Sequence, residues 1–238
     1  IAPIILERGK AVEEREQDVK KFCETGMLDP DSNVQFGEGG AGAFSDGKLN
    51  TQTNDARNRD VLDTFVRFGA PEEVGYLGKP HVGSDNLKKV VANIRAHILR
   101  SGGEFRFCEQ LTDVRLHGGR LEAVITTRGE IACDALVLAV GHSARDTFEM
   151  LLARGFVMEQ KEFAVGVRIE HLQSAIGRAQ YGAGYAALPA ADYKLVSHAS
   201  DRAVFTFCMC PGGVVIPSAS EAGGVVTNGM SNYARSER

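Results

Sequence analysis

Residues 37–47 hold five glycines, Gly37, Gly39, Gly40, Gly42 and Gly47, in a stretch that also carries Ala41, Ala43, Phe44, Ser45 and Asp46. A chain spends so much backbone entropy only where it must turn sharply or let another group come close. Phe36 and Phe44 lie in or beside the stretch, and apolar residues of that size argue against a solvated linker. About thirty residues upstream stands an apolar run ending in an acid, Ile4-Ile5-Leu6-Glu7. A hydrophobic strand ending in Glu is how a βαβ unit offers a carboxylate to an adenosine ribose. Glycine-dense backbone lets N–H groups meet a bulky anion without Cβ interference. The pairing suggests an α/β unit with a dinucleotide site.

Composition narrows the partners. With 238 residues and 43% apolar content, the chain suits one large domain or two modest ones. A net charge of −4 argues against a nucleic-acid footprint, and no apolar run reaches the roughly 18 residues that a membrane helix needs. No signal peptide is visible, and five scattered cysteines point to a reducing, cytoplasmic setting. The chain opens at Ile1, already inside a strand, so no G-x-G-x-x-G precedes Glu7. It closes at Arg238 without an apolar element. It therefore reads as an internal fragment, truncated at both ends, expected to hold its cofactor weakly or not at all on its own.

Periodicity predicts a buried strand over residues 1–6 and a helix over 11–24 closed by Gly26, with Val12, Val19 and Phe22 or Cys23 inward. A second helix spans 56–68. A third is capped by Ser84 or Asp85 and carries the stripe Leu87, Val90, Val91, Ile94 and Ile98. Phe105 and Phe107 alternate with polar residues. Strands at 111–116, 121–127 and 131–133 form a three-stranded meander, followed by a fully buried strand over 135–141. This is the layout of the FAD domain in two-dinucleotide flavoproteins. Beyond residue 150, strand-like runs at 163–170, 193–197, 203–210, 214–217 and 224–227 predict a mostly antiparallel second domain, with 193–197 and 203–210 paired as a hairpin. The expected division is an incomplete FAD-binding domain over 1–150 and an incomplete substrate domain over 151–238. No second G-x-G-x-x-G appears, which argues against a built-in NAD(P) domain.

Four longer motifs carry a resemblance: residues 34–49 (VQFGEGGAGAFSDGKL), 79–85 (KPHVGSD), 139–146 (AVGHSARD) and 207–213 (FCMCPGG). Together they resemble a family of uncharacterised FAD-dependent dehydrogenases in the glutathione-reductase-like superfamily. The resemblance covers nearly the whole chain. It departs where that family's amino-terminal pyrophosphate loop and carboxy-terminal FAD-contacting segment would lie. It implies an α/β Rossmann-like FAD/NAD(P)-binding domain with a β-meander, an α+β substrate domain, FAD as cofactor, and NAD(P)H as a diffusible donor or acceptor. The substrate and the oligomeric state stay open.

Site residues follow. Glu7 is expected on the adenosine ribose, with Arg8 beside it. Gly39, Gly40, Ala41, Gly42 and Gly47 offer close backbone approach, and Ser45 a hydroxyl. Lys48 brings a cation that favours a reduced, anionic flavin. The resemblance places the backbone of Leu111 at the adenine. Ala139, Val140 and Gly141 end a strand where the cofactor crevice opens. His142, Ser143, Arg145 and Asp146 lie just beyond it, so His142, Arg145 and Lys48 are the candidates for catalysis. Cys208-x-Cys210 reads as packing more than redox chemistry, because it lacks C-x-x-C spacing at a helix start. His81 and His171 read as structural. No spacing suggests a metal. The predicted activity is hydride or electron transfer through flavin; the alternative is a flavin- or nucleotide-binding sensor or scaffold without turnover.

Overall fold

The computed structural model describes residues 2–51, 53–199, 201–207 and 209–235. Ile1 of the first expected strand and Cys208 of the Cys-x-Cys pair lie outside these. Strand β1 (Ile4–Glu7) leads to helix α1 (Val12–Thr25). Glu13 and Glu14 sit in the first turn of α1, at the positive end of its dipole. Gly26 ends the helix in the left-handed region, its N–H bonded to the Phe22 carbonyl. Helix α2 (Arg57–Arg67) and helix α3 (Ser84–Arg100) follow, the latter with Asp85 in its first turn and His97 and Arg100 in its last.

Strand β2 (Glu104–Phe107) pairs with β1 in parallel, Ile4 facing Glu104 and Glu7 facing Phe107. A parallel pair needs a long crossover, and the stretch from α1 to α3 supplies it. Strands β3 (Leu111–His117), β4 (Arg120–Thr126) and β5 (Gly129–Ala132) form the expected antiparallel meander in that spatial order. Helix α4 (Arg145–Ala153) and helix α5 (Gln173–Tyr181) come next. Two small antiparallel pairs complete the described fold. One joins β6 (Val196–Ser197) to β7 (Val204–Phe205), the other β8 (Val214–Pro217) to β9 (Thr227–Met230).

The chain forms two discontinuous compact units. The first comprises Ile1–Ala41, Val91–Gly166 and Ser218–Val226; the second Gly42–Val90, Val167–Pro217 and Thr227–Arg238. Val12, Val19, Val34, Phe36, Val114 and Val124 are buried in the first. Phe44, Val74, Val82, Leu87, Val90 and Ile216 are buried in the second.

Several expectations need correction. Residues 135–141 do not form a strand, and Val137 is 88% exposed. An apolar run becomes a strand only where neighbours complete its ladder. Here β1 and β2 pair with each other, and among the described residues no ladder bond reaches 135–141. Residues 163–170 are likewise irregular, and no ladder bond reaches them among the described residues. Phe163, Val165, Val167 and Ile169 all point outward. The β1 strand is half-buried rather than buried. The hairpin of β6 and β7 forms, but with two residues per strand. The last strand begins at Thr227 rather than at 224. Helix α5 occupies a region read as strand-rich.

Candidate functional site

In the first unit the Gly-rich stretch is held by α1. Arg15 shares the inward face with Val12 and Val19 and is fully buried. Its guanidinium donates to the carbonyls of Asn33 (2.7 Å), Val34 (2.8 Å) and Glu38 (2.7 Å). Planar donors aimed at three carbonyls explain how a cation lies on an apolar stripe. Burial pulls its pKa down to about 10, against the pull of Glu7 and Glu38. Asn33 continues the clamp, its Oδ1 accepting the N–H groups of Gln35 (2.8 Å) and Phe36 (3.1 Å).

Glu7 ends β1 as expected, and its Oε1 accepts the N–H groups of Gly9 (2.8 Å) and Gly37 (3.0 Å). The backbones of Gly9 and Gly37 therefore cross closely; a Cβ on Gly9 would stand 2.6 Å from the Gly37 Cα. The predicted ribose acceptor is thus also a loop anchor. Its second oxygen has no protein partner among the described residues. Glu38 is buried on the same loop. Its Oε2 accepts the Val12 N–H at 2.9 Å and lies 3.2 Å from Arg95, so α1's amino terminus already carries an anion of the protein itself.

Arg8 is committed elsewhere. It donates to both oxygens of Asp146 (2.8 and 2.9 Å) and lies 4.3 Å from the Phe36 ring centroid. Gln110 donates to the same carboxylate. Burial works against the charge on Asp146, but Arg8, the Thr147 N–H and Gln110 hold its pKa below the ordinary value. Leu111 opens β3 opposite Thr126. Ala139 and Gly141 are exposed and Val140 half-buried, in the irregular segment before α4. Gly141 has φ 72° with open space where a Cβ would lie. His142 is exposed, its Nδ1 2.9 Å from the Ser143 hydroxyl, and Arg145 is paired with Glu221 at the surface.

The second unit holds a denser polar cluster. Ser45 serves the loop itself, donating to the Gly42 carbonyl (2.8 Å) and accepting the Gly47 N–H (3.0 Å). Asp46 is buried and surrounded by donors. The Ser231 hydroxyl meets Oδ1; Arg235 (2.9 Å) and Lys48 (3.3 Å) meet Oδ2. Burial raises its pKa, but these donors overcome it and hold the carboxyl below the ordinary range. Lys48 also donates to the Met209 carbonyl. Burial and Asp46 push the Cys210 thiol up, outweighing the Ser231 hydrogen bond, Lys48 and Arg235. A protonated thiol is a poor nucleophile. His81 stacks on Tyr233, and His171 lies 2.7 Å from the Tyr193 hydroxyl.

Sequence reading missed Arg15, Glu38, Arg95, Ser231 and Arg235. One signal was present for Arg15, its position three residues after Val12 and four before Val19. No group of three His, Cys, Asp or Glu among the described residues suits a metal. No helix among them is long and apolar enough to cross a membrane.

Parts of the loop backbone are open to approach. Gly39 and Gly40 have φ 83° and 55°, and a Cβ on Gly40 or Gly42 would meet nothing within 4 Å. Gly40, in the first unit with Glu7, thus offers backbone of the kind that lets N–H groups approach an anion. A protein of Clostridium beijerinckii described as uncharacterized is 52% identical over 237 residues, 98% of this chain. The chain spans 44% of that relative's length. Residues 162–238 match the family described as FAD-dependent protein, C-terminal domain-like.

Proposed function

We propose that the chain is part of an FAD-dependent oxidoreductase, a dehydrogenase acting on a small molecule. The match of residues 162–238 to an FAD-dependent family carries the reading, and the open glycine loop supports it. When bound, FAD supplies hydride or electron transfer. The chain's residues bind and orient. The free oxygen of Glu7 accepts ribose hydroxyls, and the backbone at Gly39, Gly40, Ala41 and Gly42 admits the cofactor. Leu111, Ala139, Val140 and Gly141 offer further backbone contact. A Rossmann-like FAD domain over 1–150 and a substrate domain over 151–238 belong to the same reading, within a glutathione-reductase-like subfamily. So do a cytoplasmic setting, supported by the free cysteines Cys23, Cys108, Cys133 and Cys210, and NAD(P)H as a diffusible partner.

The test is flavin absorbance of the full-length protein after desalting, beside a Glu7→Gln variant. Glutamine keeps an acceptor for Gly9 and Gly37 but removes the charge-assisted ribose bonds, each worth roughly 1.5–3 kcal/mol. FAD affinity is expected to fall about tenfold or more. Unchanged affinity removes Glu7 from the ribose. A colourless protein that takes up no FAD removes the flavin reading.

A second reading, a flavin-binding sensor without turnover, draws on one observation. Lys48 and Arg145 are committed to ion pairs, and Cys210 is held as a thiol. A yellow protein inert to NADH, NADPH and a panel of reductants favours it.

A further inference from the structure

From Ala135 to Val140 every side chain is aliphatic, and the run lies largely in the open. Val137 and Leu138 are exposed, as are Ala135 and Ala139; Leu136 and Val140 are half-buried. Both sides of the run are apolar, the pattern of a strand covered on both faces rather than of a strand with one wet side. Its backbone is equally unused. Among the described residues no backbone hydrogen bond reaches 135–141. A folded chain seldom leaves both an aliphatic run and its peptide groups to water.

The two ends of the run are fixed within the first unit. Just before it, the Cys133 N–H donates to the Glu122 carbonyl of β4. Just beyond it, Asp146 in the first turn of α4 accepts both bonds from Arg8, the residue that follows β1. The same carboxylate accepts a bond from Gln110, three residues past β2. The run therefore leads from the meander to the carboxyl ends of the parallel pair, and it travels in the direction of β1. Strand β1 has a ladder partner on one edge only among the described residues, and that partner is β2. An open strand edge and an unpaired apolar run thus end at one carboxylate.

What fills both places must be extended and apolar. The Clostridium relative supplies the room for it, since this chain spans 44% of its length and more than half of that relative lies outside the match. A segment of the same polypeptide also has a high effective concentration at its own sheet, an advantage that a separate partner lacks. We infer that residues 135–141 are a strand whose neighbour lies elsewhere in the parent protein: an apolar segment from outside these 238 residues sits between β1 and the run and bonds to both. The inference requires no cofactor.

The experiment is hydrogen exchange of the 136–140 amides in the full-length protein, at high and low protein concentration and with and without added FAD. Exchange is expected to be about a hundredfold or more slower than in an unstructured peptide of the same sequence, under all four conditions. The β1 amides not bonded to β2 are expected to be protected with them. Val137→Asp is expected to unfold the protein or lower its urea midpoint. Val137→Thr, which keeps the shape and adds a hydroxyl, is expected to fold and lower the midpoint less. Fast exchange at 136–140 overturns the inference. Protection lost on dilution assigns the cover to a second copy, and protection that needs FAD assigns it to the cofactor; either overturns it. Protection at 136–140 with those β1 amides exchanging freely overturns the shared neighbour. Two variants as stable as wild type show that Val137 faces water in the full-length protein and overturn it as well.

Discussion

Glu38 and Asp46 lie eight residues apart on one glycine-rich stretch and are 6% and 5% exposed, yet their surroundings shift the pKa of the first up and of the second down. Burial is the largest influence on both, and for both it raises the pKa. The difference lies in the donors. Asp46 has a hydroxyl on one oxygen and two cations on the other. Glu38 has one N–H and a shared arginine on one oxygen and nothing on the other. Depth alone therefore does not fix the charge of a buried acid; the completeness of its hydrogen bonding does.

The comparison breaks first at Arg15, which organises Glu38's loop. Arg15→Met leaves three inward carbonyls without donors, and the expected loss of stability is about 3–5 kcal/mol by urea denaturation. A near-neutral effect means that the loop holds its shape without the clamp. Asp46→Asn comes next. It uncouples Lys48 and Arg235 and is expected to cost about 2 kcal/mol at neutral pH. Asp46 has a lowered folded pKa, so its contribution is present above the unfolded value of 3.8 and is lost as pH falls through the folded one. Asp46→Asn should flatten that acid limb. Glu38 has the opposite sign: its contribution is present below 4.5 and is lost as pH rises through its raised folded value. Glu38→Gln should remove that decline, an effect on the order of 1 kcal/mol. Wild-type stability curves in which both acids move the same limb contradict the comparison.

Ser231→Ala sharpens it at the smallest scale, with an expected loss of about 1 kcal/mol. The serine hydroxyl lowers both Asp46 and Cys210, so its removal should raise the Asp46 carboxyl toward the behaviour of Glu38. It should also push the Cys210 thiol higher, seen as slower alkylation at a given pH.

Local order was legible in the sequence wherever periodicity decides it. The helix pattern of α1 to α3 and the alternation in β3 to β5 survive folding because each carries its own apolar face. Residues 135–141 failed because a strand is decided by its neighbours, and no pattern within the run reports them. Arg15 was missed although its spacing from Val12 and Val19 puts it on the inward face, because a charge among apolar positions reads as an outward residue until its carbonyl partners are seen. The cluster of Asp46 with Ser231 and Arg235 joins residues 185 and 189 positions apart, beyond the reach of any local spacing. Glu7 was found for its strand-end carboxylate, while its bonds to Gly9 and Gly37 were not foreseen.

The glycines of this stretch divide according to what forbids a larger residue. Gly37, at φ 115°, packs against the aliphatic stem of Arg15, so any side chain there strikes the protein itself. Gly42 has an ordinary φ and empty space where its Cβ would lie, so neither backbone nor packing demands glycine. Saturation mutagenesis scored for folding alone should therefore close position 37 and leave 42 permissive. The same library scored for retained flavin asks a different question, and a position that closes only under that second score reports a molecule the chain itself does not contain.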